Sequence, residues 1–467
     1  MGGVASVSTA IDALTARLGG DRVATGRALC GQHANTASWL PAEPPDAVVW
    51  PLSTEDVVAI VTIAREHRVP LIPFGAGTSL EGHVNAPHGG ISVDFSRMTR
   101  ILAVETRDLD CTVEPGVTRP MLNQHVRDQG LFFSVDPGAA DATLGGMAAT
   151  RASGTNAMRY GTMRDNVLSL KAVLASGEVI RTGARARKSA AGFDLTHLLV
   201  GSEGTLGLIT ELTLKLHPIP QRIIAAACPF ATLQGACEAV IGANESGLGL
   251  ARVELLDALQ IRAINAYSKL DLEEAPYLFV EIAGGEAATM EQLEAFREIA
   301  MAHGAIRFDW AKDEAERARL WRARHDAYWA AKAMWPGRTL SASDVCVPVS
   351  QLAACVTETI ADFEASGVIA PVVGHVGDGN FHVIPVVDPQ DGEAVRRARG
   401  ALDRLVDRAL AMGGTSTGEH GIGQGKQGYL AREFGEPAVQ AMAAIKGALD
   451  PLGILNPGKI WISRRQH

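Results

Sequence analysis

The chain has 467 residues, 43 Lys and Arg against 52 Asp and Glu, a formal net charge of −9, and 47% hydrophobic residues. This length exceeds one ordinary core and predicts two or three domains, while an acidic balance without long acidic runs excludes a nucleic-acid binder, which would need a basic face. No run of eighteen apolar residues occurs, the N-terminus lacks a secretory signal, and the six cysteines form no CxxC pair, so the expectation is a soluble cytoplasmic protein with buried thiols, with membrane association through a partner as the alternative.

Residues 1–44 are expected to form an N-terminal helical segment. At 53–73, Ser53 and Asp56 resemble a capping box, Val57, Val58, Ile60, Val61 and Ala64 supply an apolar helical face, and VPLIPFG follows as a strand. The strand runs into PFGAGTSLEGH at 73–83, where Gly75, Gly77 and Gly82 flank Thr78 and Ser79. Backbone amides in such a nest cradle a pyrophosphate. The third glycine falls two residues late for G-x-G-x-x-G and there is no Walker lysine, so a plain structural loop is the alternative.

From 91 to 220 short β-like runs such as GISVDF, ILAVET and GLITELTLKLHPIP alternate with glycine-rich loops, with too little helix for a Rossmann sheet. The basic run at 181–188 reads as a solvated loop. Pro218 and Pro220 mark a boundary, which sets one domain at 45–220. Between 221 and 413, helical patterns at 289–303, 313–334, 350–366 and 392–412 alternate with strands and predict a second α+β domain on an antiparallel sheet. The segment 414–467, with a helix near 437–449 and the ending LNPGKIW, is expected to return to the first domain.

Two short runs in the second half carry chemistry. In GHVGDGNFH at 374–382, Asp378-Gly379 favours a type I′ turn, and pairing outward gives 377:380, 376:381 and 375:382. His375 then faces His382 at about 4.5–5.5 Å between Cβ atoms, close enough for both imidazoles to grip one ion. In TGEHGIGQGK at 417–426, Glu419 and His420 stand between glycines that can turn both toward one pocket, one to hold a metal and the other to meet a substrate. The alternative is that these histidines are ordinary hydrogen-bonded residues near turns.

Three further runs, 135–167, 200–210 (VGSEGTLGLIT) and 455–460 (LNPGKI), complete a pattern. Together they resemble the flavin-binding half of the vanillyl-alcohol oxidase and p-cresol methylhydroxylase-type FAD family, over nearly all of 45–460. The resemblance implies an α+β FAD-binding domain of two subdomains and an α+β cap. It places Gly75, Gly77, Thr78, Ser79 and Gly82 in the pyrophosphate loop. Pro137, Gly138, Thr143, Gly146, Ser153, Gly154, Asn156, Gly161 and Val167 fall along the cofactor, and Glu203, Gly204, Gly207, Ile209 and Asn456 close the site. Several of these glycines can serve the backbone path alone. His83 does not match the position that bonds flavin covalently in some members, so non-covalent FAD is implied.

Within that family, VGHVGDGNFH, TGEHGIGQGK, LNPGK and SDVCVPVS at 343–350 resemble the D-2-hydroxyacid dehydrogenase branch, its cytochrome-linked D-lactate dehydrogenases above all. The branch implies that His375, His382 and Glu419 ligate a divalent metal, Zn²⁺ or Mn²⁺, with His420 as general base. Two imidazoles and a carboxylate suit such an ion. An alcohol with a pKa near ~15 does not ionise unaided at neutral pH; a Lewis acid on its oxygen and a histidine to take the proton allow hydride to pass to flavin N5. Arg324, in LWRARHDAYWAAKAM at 320–334, is the expected carboxylate anchor, sharing a helical face with Trp321 and Tyr328. Arg322 competes for that role, and a surface pair with Asp326 is the plain alternative.

In the branch that oxidises D-2-hydroxyglutarate, a lysine precedes the D-x-x-x-P run and a polar amide follows the second metal histidine by two. Here those places hold Ala342 and Ile384, which favours a monocarboxylate. Lactate, glycolate and longer 2-hydroxy acids stay open, as do a glycolate dehydrogenase subunit, a D-2-hydroxyglutarate dehydrogenase, a non-flavin metallohydrolase and a non-catalytic flavoprotein partner. The expected acceptor is a cytochrome, quinone or electron-transfer flavoprotein. The absence of a dinucleotide fingerprint argues against nicotinamide. A homodimer is the oligomer allowed for, and the metal's identity is open.

Overall fold

The computed structural model describes residues 4–34, 40–186 and 188–461. Parts of two expectations, residues 1–3 and 35–39 of the N-terminal segment and Arg187 of the basic run, lie outside the described residues. The chain forms two compact units, one of Met1–Ser153, Gly161–Ile219 and Glu419–His467, the other of Gly154–Tyr160 and Pro220–Gly418.

In the first unit β1 (Val23–Ala24), β2 (Ala47–Val49), β3 (Leu71–Phe74) and β4 (Ile91–Asp94) form a sheet in the order β1-β2-β4-β3. β2 and β3 run parallel to β4, and the helix Thr54–His67 makes the crossover, burying Val57, Ile60, Val61 and Ala64. Its first turn departs from the expected capping box. Ser53 Oγ accepts from Asp56 N at 3.2 Å, but the Asp56 carboxylate takes Leu52 N and Arg22 Nη1 instead of returning to Ser53, because the arginine offers a charged partner. The helix Val4–Leu18 adds Ala10 and Leu14 to this core, and the chain's last segment adds Ile454 and Leu455. Leu71 N donates to Ile454 O and Asn456 N to Leu71 O, so the tail runs alongside β3.

A second, antiparallel sheet in this unit has the order β5-β6-β10-β8-β9, built from β5 (Ile101–Glu105), β6 (Asp110–Val113), β8 (Val167–Val173), β9 (Val179–Arg181) and β10 (Leu208–Lys215). Two short strands, β7 (Leu131–Phe132) and β11 (His217–Pro218), pair beside it. Its apolar face covers the helices Arg119–Val126 and Leu144–Thr150. In the basic run, Arg185 Nε bonds the buried Asp110 at 3.0 Å and its Nη2 bonds Asp108.

The second unit is built on β12 (Arg222–Pro229), β13 (Leu250–Leu256), β14 (Tyr277–Gly284), β15 (Asp309–Trp310), β17 (Val345–Cys346), β18 (Val372–Gly374) and β19 (Asn380–Val383). All pairs in the sheet β15-β12-β14-β13-β18-β19-β17 are antiparallel, and β16 (Thr339–Leu340) pairs with β20 (Val386–Val387) apart from it. Helices occupy Glu286–Ala302, Leu352–Ala365 and Gly392–Ala411. The helix expected over 313–334 is instead two, Glu314–His325 and Ala327–Met334. Asp326 lies between them, with its carboxylate accepting from Ser268 Oγ at 2.8 Å, while Asp326 N bonds Arg322 O and Ala330 N bonds Asp326 O across the division. No described helix is long and apolar enough to cross a membrane. The six cysteines are all free thiols.

Candidate active site

The first unit holds a cleft of about 1200 Å³ of open space. Gly75, Gly77, Thr78, Ser79, Pro137, Thr143, Gly146, Glu203, Gly204, Gly207, Ile209 and Asn456 line it, together with Glu419 and His420. Gly75 is required by close approach: a Cβ there would stand 2.4 Å from Thr143 Oγ1. That hydroxyl also caps the helix Leu144–Thr150 by accepting from Gly146 N at 3.2 Å.

The other expected cofactor residues are not part of the cleft lining. Gly82 backs onto Gln424 and Asn85, Gly161 packs on Asp165, and Val167 begins β8 in the core. Gly138 and Ser153 are outside the cleft lining, while Gly154 and Asn156 belong to the second unit, where Asn156 Oδ1 accepts from Arg252 Nε at 2.6 Å. Motif reading missed the apolar lining of Phe74, Phe95, Pro115, Met147 and Leu208. Those residues sit in or beside strands and helices and carry no spacing signal; only their adjacency to the glycine runs could have pointed to them.

Glu203 organises the cleft's polar wall. It is buried, with Oε1 accepting from Ile422 N at 2.7 Å and Oε2 from Gly423 N at 2.8 Å. His83 Nε2 stands 3.3 Å from the same carboxylate, and Asn456 Nδ2 donates to Glu203 O at 2.7 Å. Burial works to raise the Glu203 pKa, but His83 and the two amides outweigh it and hold the group below its ordinary range. The turn after Glu419 and His420 is thereby tied to the cleft wall. His420 Nδ1 lies 4.0 Å from Glu81 Oε1, which Lys426 Nζ approaches at 3.5 Å. Among the described residues His83 Nδ1 and Asn456 Oδ1 are buried in this wall without a protein hydrogen-bond partner, and such atoms suit a polar ligand.

His375 and His382 lie together in the second unit, but not by the expected pairing. β18 and β19 pair Val372 with Val383 and Val373 with His382, so His382 faces residue 373 and His375 sits in the connection. The two-residue turn is replaced by a 3₁₀ turn over Val376–Asp378, in which Asp378 N bonds His375 O and Gly379 N bonds Val376 O. A type I′ turn needs two residues at positive φ; here Gly379 alone adopts it, at 78°. The rings still meet, edge to face, with centroids 5.5 Å apart.

Each ring is oriented through Nδ1. His382 Nδ1 lies 2.8 Å from Ser343 O, and His375 Nδ1 lies 2.7 Å from Glu254 Oε1. Both bonds make Nε2 the nitrogen that can ligate, the arrangement common to metal-binding histidines. Asp344, in the SDVCVPVS run, accepts from Asn380 Nδ2 and from Thr417 Oγ1 at 2.9 and 2.7 Å, which fastens the hairpin from the side.

Arg324 does not pair with Asp326. Its Nε donates to Glu254 Oε2 at 2.7 Å, and the shared face with Tyr328 is lost because Tyr328 lies beyond the helix break and is exposed. Glu254 is fully buried; burial, the largest influence, would raise its pKa, yet His375 and Arg324 bring it down to about 2. Sequence reading missed Glu254, although a lone acid inside the apolar strand LARVELL was a visible signal. Trp321 is buried beneath Arg252, whose guanidinium carbon stands 5.1 Å from the indole centroid, while Arg322 is exposed. Ile384 is buried in an apolar cluster with Trp321, Leu340 and Val373, and Ala342 packs against it.

The chain matches two families of known proteins, FAD binding domain over residues 45–183 and FAD linked oxidases, C-terminal domain, over 219–460. It is similar to a probable mitochondrial D-lactate dehydrogenase of Danio rerio, 46% identical over 98% of this chain and 92% of that protein. A mitochondrial cytochrome D-lactate dehydrogenase of Arabidopsis thaliana is 48% identical over 89% of this chain and 73% of its own length. Among solved structures, p-cresol methylhydroxylase with substrate bound is 19% identical with a TM-score of 0.82, covering 99% of this chain and 98% of that one, a likeness of fold. The cleft fits FAD, with a glycine turn that admits close backbone approach, an apolar lining, and, among the described residues, buried polar atoms without a protein hydrogen-bond partner.

Proposed function

The chain belongs to the FAD-linked oxidases, and from that membership we propose that it is an FAD- and divalent-metal-dependent dehydrogenase of D-lactate or a similar D-2-hydroxy monocarboxylate, yielding the 2-oxo acid. One observation carries the reading: two imidazoles lie edge to face with both Nδ1 atoms engaged, in a chain whose FAD cleft is lined by Glu419 and His420.

FAD, when bound, supplies the two-electron oxidant, and a divalent cation, Zn²⁺ or Mn²⁺, supplies Lewis acidity toward the substrate hydroxyl. His375, His382 and Glu419 are its proposed ligands. His420 takes the hydroxyl proton, a role that suits an imidazole at neutral pH. Arg324 binds the substrate carboxylate, and the apolar surroundings of Ile384 and Ala342 offer no cation to a second one. His83 stays beside Glu203 as a polar residue of the cleft wall, and FAD is held without a covalent bond. The names of the relatives support a cytochrome as acceptor, with a quinone or an electron-transfer flavoprotein in the same role. A cytoplasmic location and a homodimer belong to the same reading.

The test is anaerobic reduction of the protein's flavin by a panel of D- and L-2-hydroxy acids, with and without prior chelation. D-lactate should bleach the flavin and L-lactate should not; EDTA should stop the bleaching while leaving the oxidised spectrum intact, and acid precipitation should leave a colourless pellet. Bleaching by L-lactate alone, or indifference to EDTA, would overturn the stereochemical or the metal part. Faster bleaching by glycolate would move the assignment to a glycolate dehydrogenase.

A further inference from the structure

Glu254 is a carboxylate with no access to solvent, in the middle of β13, whose neighbours Val253, Leu255 and Leu256 are all core residues. An isolated charge there would be strongly unfavourable, and it persists only where hydrogen-bonded ionic partners meet both oxygens. Here each oxygen has one: His375 Nδ1 at 2.7 Å on Oε1 and Arg324 Nε at 2.7 Å on Oε2. The partners come from far along the chain, 121 and 70 residues away. The neighbouring carboxylate on this face, Glu281, is shared by Arg252 and Arg317, at 3.1 and 2.7 Å. Glu254 therefore serves His375 and Arg324.

We propose that Glu254 is a positioning residue that aims two functional groups at once, fixing His375 as an Nε2 ligand for a divalent metal and turning the outer edge of the Arg324 guanidinium toward an anionic substrate. The inference rests on the metal and substrate reading above. An ionised carboxylate only accepts hydrogen bonds, so the imidazole proton is held on Nδ1 and the lone pair on Nε2. The same carboxylate occupies Arg324 at Nε, and the two Nη groups are the part of the fork suited to bidentate carboxylate binding.

The test is Glu254→Gln in the FAD-loaded chain, stripped of metal and titrated with zinc alone. The amide keeps the shape but offers one acceptor oxygen where two donors arrive. Zinc affinity should fall roughly 10–100-fold, as for other outer partners of metal ligands. KM for D-lactate should rise by a larger factor than kcat falls, with the flavin spectrum retained. Unchanged zinc affinity and KM in a folded variant would overturn the inference while the wild type still binds zinc. A wild type that binds no zinc would overturn both the inference and the metal reading. Should the variant not fold, ¹⁵N-histidine spectra of the zinc-loaded wild type, with His375→Ala for assignment, decide the matter. A protonated Nδ1 on His375 supports the inference, and zinc ligation through Nδ1 sinks it.

Discussion

The turn that follows His420 is held by a residue more than two hundred positions away. Glu203 accepts from the amides of Ile422 and Gly423, and the charge that makes those bonds strong is kept on the carboxylate by His83 and by the amides themselves. The imidazole is thus presented in the cleft lining from a turn that cannot swing freely. If His420 is the proton acceptor, His420→Ala should lower kcat by about 10²–10⁴-fold with FAD content unchanged, as removal of a positioned general base does. Stopped-flow flavin reduction by D-lactate reads this directly; full turnover in the variant would assign the proton to another group. Sequence reading found His420 and Glu419 because both stand in a short glycine-rich run. It assigned Glu203 only to the closing of the cofactor site, since nothing local to Glu203 reports which backbone amides it will meet.

At the scale of elements, the β18–β19 hairpin shows how far a dipeptide signal reaches. Asp378-Gly379 marked the turn, but the pairing is displaced by two positions, since the connection is five residues, 375–379, around the 3₁₀ turn Val376–Asp378. The chain just after β17 is packed against this turn: Val347 N donates to Gly379 O at 3.0 Å, and a Cβ on Gly379 would lie 2.0 Å from Val347 O. Gly379 also sits at positive φ, so Gly379→Ala should cost at least about 1–3 kcal/mol and disturb β17 and the imidazole pair together. Urea melts give the stability change, and zinc titration should show weakened binding in the folded fraction. A variant as stable as the wild type would remove β17 from this account. The helical periodicity expected over 313–334 likewise continues through Asp326, and two helices, Glu314–His325 and Ala327–Met334, meet there.

For the molecule as a whole, pH dependence of stability follows from groups whose surroundings differ between folded and unfolded states. His217, in β11, has its pKa pushed down to about 4 by burial and, secondarily, by Lys215. Its Nε2 lies 2.9 Å from Asn166 Oδ1, which fits a neutral ring donating to the amide oxygen. A lowered histidine pKa means that between roughly pH 6.5 and 4 the unfolded chain binds the proton and the folded chain does not. Stability therefore falls as pH drops through that window. His217→Gln should flatten the difference between urea midpoints at pH 7 and pH 4.5 relative to wild type; an unaltered slope would show that His217 is solvated like a free histidine.

Much of this architecture is written in near-neighbour chemistry. Apolar spacing placed the helices Thr54–His67, Glu286–Ala302 and Gly392–Ala411, alternation and glycine punctuation indicated an α+β fold without a Rossmann sheet, and the glycine-rich runs at 73–83, 135–167 and 200–210 pointed to an FAD cleft through their resemblance to the FAD family. Those features depend on residues within a few positions of one another, so a linear reading reaches them. The partners of the buried charges do not. Glu254 joins His375 to Arg324 and Glu203 fastens the turn after His420 across separations of 70 to 220 residues. A charge in an apolar interior is tolerable only beside its counter-charge, and which counter-charge arrives there is settled by how the strands and helices pack.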